Sequence, residues 1–284
     1  MSNIIIIGSG PAGVSASLYT QRANIDTLVI AKGHGALEKA EEIENYYGIM
    51  PVSGLELEAN GIAAAKEIGV KFLEAEVVGI SYGEKFMVET TSGVYEADAL
   101  IIATGSVRKT LNVKGLRNLE GKGVSYCAIC DAFFYRQKDV CVLGSGEYAA
   151  HEIAALLPVV NSLTLLTNGE SLTTTFDERV KIIDKKISSI DGENKVESVS
   201  FEDGSKLAVD GVFVAYGSAG STALAKKIGA SIDGNKIVVD ENMATSIPGI
   251  FAAGDCTGGL LQVAKAVYEG AKAGTEAIKF LRKK

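Results

Sequence analysis

Cys127 and Cys130 close the run Cys127-Ala-Ile-Cys130-Asp131, a spacing at which two sulfurs can share one bond or one metal ion. A structural zinc site needs a second pair of Cys or His at ligand spacing. Nothing supplies it: Cys141 falls in an apolar strand-like run, Cys256 lies far along the chain, and His34 and His151 sit in unrelated segments. A dithiol–disulfide pair is the most economical chemistry for the motif, ahead of two packing cysteines that happen to sit close. In such a pair the thiolate is the nucleophile, so its pKa is expected to be lowered by a helix N-terminus and the local field. Asp131 follows directly in the run. An aspartate here suits a helix N-cap. Cys141 and Cys256 read as inert packing residues.

A redox pair needs a source of electrons, and two glycine-rich turns suggest how one is held. Ile4–Ile7 reads as a buried β-branched strand, followed by Gly8-Ser9-Gly10-Pro11-Ala12-Gly13, a helical pattern over Val14–Arg22 and a second strand at Thr27–Ile30. In that setting the first glycine permits the turn, the second lets backbone approach a pyrophosphate, and the third lets helix pack on strand. The helix N-terminus then offers free N–H groups to the phosphates. The unit recurs without a gap 136 positions on. Val140–Leu143 matches Ile4–Ile7, Gly144, Gly146 and Ala149 match Gly8, Gly10 and Gly13, and Leu163–Leu166 matches Thr27–Ile30. Two dinucleotide-binding units imply an α/β chain with two Rossmann-like domains.

Ala99–Gly105 and Gly249–Asp255 read as buried strands ending in small-residue turns, the second with a carboxylate at its end. Gln262–Leu281 has helical periodicity, with Val263, Val267, Ala271, Ala277 and Leu281 as its apolar positions. Segments around Phe72–Thr91 and Lys195–Val214 read as inserted β-meanders, turning at Glu89–Val94 and Glu202–Ser205. The 284 residues suffice for two domains, and the composition (47% hydrophobic, 22% charged, 32 Gly, 4 Pro) is globular. A net charge of −7 argues against nucleic-acid binding. No stretch nears the roughly 20 apolar residues of a membrane span, and no signal peptide is visible. Four cysteines in such a chain point to a reducing compartment, so a cytoplasmic location is expected.

These pieces, in this order, resemble the low-molecular-weight thioredoxin reductases. The match runs over nearly the whole chain: G-S-G-P-A-G at 8–13, E-N-Y-Y-G at 44–48, A-T-G at 103–105, C-A-I-C-D at 127–131, the second glycine motif at 144 and A-A-G-D at 252–255. The resemblance implies a discontinuous FAD domain, 1–110 with 244–284, and an inserted smaller domain, 111–243, carrying the redox pair and a pyridine-nucleotide-binding fold. It implies that Gly8, Ser9, Gly10, Pro11, Ala12 and Gly13 cradle the FAD pyrophosphate. Asn45 would touch the isoalloxazine side, Val77 the adenine through its backbone, and Ala103, Thr104 and Gly105 would back the cofactor. Gly254 and Asp255 would hold ribityl hydroxyls, while Gln262 and Val263 would point backbone N–H groups at the N1/O2 edge, where the reduced flavin is anionic. Cys130 would then lie against the flavin, Cys127 would attack the partner's disulfide, and Asp131 would shuttle the proton. A homodimer is implied as well.

The chain departs from that family in four places. Its first unit ends the second strand in Ile30-Ala31-Lys32, without the usual ribose-binding acid. Its second unit ends Leu166-Thr-Asn-Gly-Glu170 and has no lysine or arginine between Lys138 and Arg179, where NADPH users pair the 2′-phosphate. Tyr216-Gly-Ser-Ala-Gly-Ser221 and Leu261-Gln262 replace the family's I-G-x-x-P-N and Arg-Gln. A degenerate nucleotide site of this kind resembles the ferredoxin-dependent flavin thioredoxin reductase branch. There, one-electron donation by ferredoxin is gathered into pairs by FAD and passed through the disulfide to thioredoxin, without NADPH and without a metal in the reductase. Arg108, Lys109, Lys114, Arg117 and Lys122, opposed by Glu120, form a basic cluster suited to an acidic ferredoxin or to a solvated linker. An NADPH-dependent thioredoxin reductase with an atypical site and an FAD-dependent dithiol oxidase are the alternatives. A ferredoxin–NADP reductase of this type lacks the Cys pair, and a non-catalytic flavin module leaves the pair without a role.

Overall fold

The computed structural model describes residues 3–105, 111–216 and 221–283. It comprises two compact units, Met1–Val107 with Gly220–Lys284, and Arg108–Ala219.

The first unit opens with β1 (Ile4–Ile7), whose four isoleucines are all buried. Gly8 takes φ 113° to turn the chain into α1 (Pro11–Arg22). The sequence places the helix start at Val14. It begins three residues earlier because Pro11 sits in the first turn, where its missing N–H costs nothing and its fixed φ suits a helix. Strand β2 (Thr27–Ala31) follows, then α2 (Gly54–Glu67), capped by Ser53 Oγ accepting the Glu56 N–H at 3.2 Å. After β3 (Lys71–Glu74) comes an antiparallel meander of β4 (Val77–Tyr82), β5 (Phe86–Thr90) and β6 (Gly93–Ala97), and then β7 (Ala99–Ile102).

The second unit repeats the plan. It runs β8 (Val124–Ser125), α3 (Ala128–Asp131), β9 (Asp139–Leu143), α4 (Glu147–Leu156), β10 (Ser162–Leu166) and β11 (Lys181–Ile183). A second meander follows, β12 (Ile187–Asp191), β13 (Ser198–Phe201) and β14 (Lys206–Ala208), and β15 (Gly211–Val214) returns to the main sheet. That sheet is parallel throughout, in the order β11-β10-β9-β15-β8.

The chain then completes the first unit with α5 (Ser221–Lys227), the short hairpin β16 (Ile232–Asp233) and β17 (Lys236–Ile237), β18 (Ile250–Ala252) and α6 (Val263–Lys283). Its parallel sheet has the order β18-β7-β1-β2-β3. Residues 221–243, which the sequence assigns to the inserted domain, lie with this unit: Lys227 Nζ donates to the Val78 carbonyl at 2.8 Å, and the Ser231 N–H to Ser246 Oγ at 2.9 Å. The expected boundary at Thr110 is outside the described residues. Among those residues no helix is long and apolar enough to cross a membrane.

Small residues decide how α6 packs. Its buried positions are Ala266, Gly270, Ala273, Gly274, Ala277 and Ile278, so only Ala277 of the expected apolar stripe is fully covered. The reason is the closeness of α1. A Cβ on Gly270 would stand 2.1 Å from the Ala12 carbonyl oxygen, and one on Gly274 2.8 Å from that of Ala16. Two backbones in contact leave no room for the larger side chains, which move to the flank.

Gly270→Ala is therefore expected to destabilise the protein by about 1–3 kcal/mol, because overpacking against backbone outweighs the helix propensity gained. Gly83→Ala, where nothing lies within 4 Å of the added methyl, serves as control. Urea denaturation of both variants checks this, and equal stability would contradict the close-approach account.

Candidate redox and dinucleotide sites

The turn after β1 is shaped by what cannot stand in it. A Cβ on Gly8 would lie 2.3 Å from the Ala103 carbonyl oxygen, and one on Gly13 1.9 Å from that of Gly8. A Cβ on Gly10, in contrast, would meet nothing within 4 Å. Gly10 caps α1 without a side-chain hydrogen bond, and no acid occupies the first turn. Ser9, Gly10, Pro11 and Ala12 thus present a bare helix N-terminus to open space, suited to an anion. Beside it run Ala103, Thr104 and Gly105, the last at φ 71°. The Thr104 hydroxyl oxygen is buried without a hydrogen-bond partner, a costly state that a bound polar group would relieve.

The other predicted contacts come from the ends of β18 and α6. Gly254 takes φ 86°, and a Cβ there would lie 2.9 Å from that of Ala12. Asp255 follows at the strand end, its carboxyl pushed above the usual range by burial, with Lys265 opposing. Asn45 and Gln262 meet: Nδ2 of the first donates to Oε1 of the second at 3.0 Å. Val263 opens α6 directly after. Val77 opens β4 beside Glu76, which is 4% exposed.

Two supports escaped the sequence reading. Lys265 Nζ donates to the carbonyls of Gly254 (2.8 Å) and Gly258 (2.5 Å) and pairs with Glu269 at 2.9 Å. Glu269 in turn accepts the Gly254 N–H at 2.8 Å and the Thr257 hydroxyl at 2.9 Å, so one i, i+4 pair fixes the loop that carries Asp255. Elsewhere Lys32, standing where the ribose-binding acid is missing, pairs with Glu76 Oε2 at 2.5 Å. The i, i+4 spacing was visible in sequence; the Lys32 pairing spans 44 residues and was not. The open helix end, the forbidden side-chain positions and the orphaned hydroxyl together fit a dinucleotide such as FAD.

In the second unit, a disulfide joins Cys127 to Cys130, with Cα atoms 5.3 Å apart. Cys127 caps the short helix α3, and the Cys130 N–H points at its sulfur at 3.2 Å. Cys127 is 5% exposed and Cys130 is exposed. Ser125 accepts the Cys127 N–H at 3.1 Å and donates to Asp131 Oδ2 at 2.6 Å, linking the carboxylate to the redox turn. Asp131 precedes a 3-10 turn but makes no side-chain cap there, so its carboxylate is committed to Ser125 instead. Cys141 and Cys256 are both buried. Burial drives the Cys141 thiol far up, and it pushes Cys256 up to about 12.

The second glycine turn keeps its backbone but not its opening. A Cβ on Gly144 would lie 2.3 Å from the Ala215 carbonyl oxygen, as Gly8 does against Ala103. Across it, however, folds the loop after β10. Ser145 donates its hydroxyl to Glu170 Oε2 at 3.2 Å, and the Thr173 N–H reaches the Ser145 carbonyl at 2.9 Å. A Cβ on Gly146 would meet Thr173 Oγ1 at 2.9 Å, where its counterpart Gly10 has free space. Tyr216 hydrogen-bonds Glu170, and burial together with that carboxylate raises its pKa to about 12. Glu147 opens α4. Carboxylates and a threonine thus stand where phosphate oxygens would need N–H donors and cations. Of the basic cluster, Lys114, Arg117 and Lys122 are exposed, as is Glu120, while Arg108 and Lys109 lie outside the described residues.

Comparison with known proteins agrees with this anatomy. The family model for pyridine nucleotide-disulphide oxidoreductases matches residues 2–270. The thioredoxin reductase of Listeria monocytogenes serovar 1/2a is 36% identical over 98% of this chain and 93% of the relative. Among solved structures, the atypical thioredoxin reductase TRi from Desulfovibrio vulgaris Hildenborough superposes with TM-score 0.94 at 36% identity, covering 100% of this chain and 99% of that one. A ferredoxin-flavin thioredoxin reductase from Clostridium acetobutylicum does so with TM-score 0.77 at 32% identity, with coverage of 100% and 99%.

The burial of the four sulfurs predicts their reactivity. After reduction, brief native alkylation is expected to label the exposed Cys130 first and the largely covered Cys127 more slowly, with Cys141 and Cys256 modified only on unfolding. Peptide mapping checks this; early labelling of Cys141 or Cys256 would contradict the geometry.

Proposed function

The chain belongs to the pyridine nucleotide-disulphide oxidoreductase family, and from that premise we propose that it reduces thioredoxin through Cys127 and Cys130 with electrons from ferredoxin rather than from a pyridine nucleotide. It is a flavin disulfide reductase of the thioredoxin reductase kind. The observation that carries the choice of donor is the second glycine turn, covered by Glu170 and Thr173 and lacking any lysine or arginine between Lys138 and Arg179. A 2′-phosphate and pyrophosphate brought there would meet carboxylates in place of charge-assisted donors. The likeness to a ferredoxin-flavin reductase supports the same reading.

When bound, FAD supplies a carrier that can take electrons singly and release them as a pair. Gly8–Gly13 would hold its phosphates, Thr104 and Asp255 would hydrogen-bond it, and Asn45, Gln262 and Val263 would stand at its reactive end. In the reduced pair, Cys127 attacks one sulfur of the partner's disulfide, forming a mixed disulfide and expelling the other sulfur as a thiolate. Cys130 then attacks Cys127, which restores the Cys127–Cys130 bond and frees the partner as a dithiol. Asp131, held by Ser125, gives the proton that the leaving thiolate needs. Cys127 is buried in the oxidised protein, so this exchange requires its face to be uncovered. The exposed Lys114, Arg117 and Lys122 favour an acidic donor, and the family resemblance favours a homodimer.

Anaerobic mixing of the oxidised holoprotein with NADPH, NADH or chemically reduced ferredoxin tests the donor. Ferredoxin is expected to bleach the flavin rapidly, whereas neither nucleotide does so on that timescale. Oxidised thioredoxin should then restore the colour. Rapid bleaching by NADPH would end the nucleotide-independent reading.

A further inference from the structure

Behind the disulfide lies a carboxylate that the exchange chemistry above does not use. Glu152, on α4, is 1% exposed. Its Oε2 accepts the N–H of Ala128 at 2.5 Å, the peptide that joins Ala128 to Cys127. Its Oε1 faces Nδ1 of His151 at 3.4 Å. One turn earlier on the same helix, Tyr148 donates its hydroxyl to the Tyr126 carbonyl at 3.0 Å. Helix α4 therefore grips Cys127 from both sides, by the carbonyl before it and the N–H after it. Burial, with the Glu152 charge second, holds the Tyr148 hydroxyl neutral far above its usual range. A neutral acceptor could satisfy the Ala128 N–H equally well. The charge therefore calls for a reason of its own.

We propose that Glu152 is a positioning residue for the redox turn, fixing the Ala128 N–H so that the Cys130 N–H faces Cys127 Sγ, and that its charge keeps the pair strongly reducing. The disulfide is neutral, whereas the reduced pair carries a thiolate. A fixed negative charge beside that thiolate disfavours the reduced form and drives electrons outward to the partner. The His151 ring faces the carboxylate, Asp131 adds to its charge across the turn, and Tyr126 and Tyr148 stay neutral. The inference rests on the reading that Cys127–Cys130 is the redox centre.

Equilibrating the holoprotein with dithiothreitol at neutral pH, and counting thiols by mass after denaturing alkylation, tests it. In that equilibrium the disulfide takes two electrons and two protons from dithiothreitol, which closes to its cyclic disulfide. Glu152→Gln keeps the acceptor and loses the charge. It is expected to shift the equilibrium toward the dithiol about tenfold, ~30 mV for a two-electron couple. His151→Gln, at a side chain partly open to solvent, should shift it about threefold the other way by removing the imidazole that faces Glu152. An unchanged equilibrium in folded Glu152→Gln overturns the inference, and so does an unchanged His151→Gln if the first variant does not fold. A wild-type pair that dithiothreitol cannot reduce would instead defeat the underlying redox reading, and this inference with it.

Discussion

Between the end of β1 and the first turn of α1 the backbone runs so close to itself that no side chain can stand at Gly8 or Gly13. That steric constraint orders most of the first unit. It sets α1 against the sheet with its N-terminus bare, and it brings Ala12 and Ala16 within contact of α6. Helix α6 must then offer glycine and alanine on its inner face. The same approach places Gly254 and Asp255 beside Ala12, where the Lys265–Glu269 pair holds their loop. A bare helix end suited to phosphates and a fixed loop at Asp255 are two results of one packing problem.

The second unit solves the same problem and then closes the result. Gly144 repeats the tight turn against Ala215, so the strand-to-helix geometry is kept for packing. What differs is the loop beyond the neighbouring strand, which lays Glu170 and Thr173 over the turn and ties Ser145 to them. The helix behind that turn serves another end. Its Tyr148 and Glu152 anchor the two peptides flanking Cys127, so a nucleotide-binding framework acts as the support of a redox turn.

Much of this was legible in the chain. The strand runs and glycine spacing located β1, β2, β9 and β10 to within a residue, because buried parallel strands of Ile, Val and Leu carry little else. The Cys127–Cys130 bond and the missing cations were visible as residue types. Other features were hidden because they depend on contacts distant in sequence. Periodicity alone assigned the larger residues of α6 to the core, whereas its distance from α1 selected the small ones. The segment 221–243 gave no sign that Lys227 would bind Val78, 149 residues away. Glu170 read only as the absence of a cation, and its closure of the glycine turn needed the fold of the loop around it.

The central claim is that Cys127 exchanges with the partner's disulfide and Cys130 resolves the product. The most direct measurement is a single mixing of reduced Cys130→Ser holoprotein with oxidised thioredoxin, followed by non-reducing mass analysis. The account predicts that a covalent adduct through Cys127 accumulates and that no thioredoxin dithiol is released. Release of the dithiol at the wild-type rate, with serine at position 130, would contradict it.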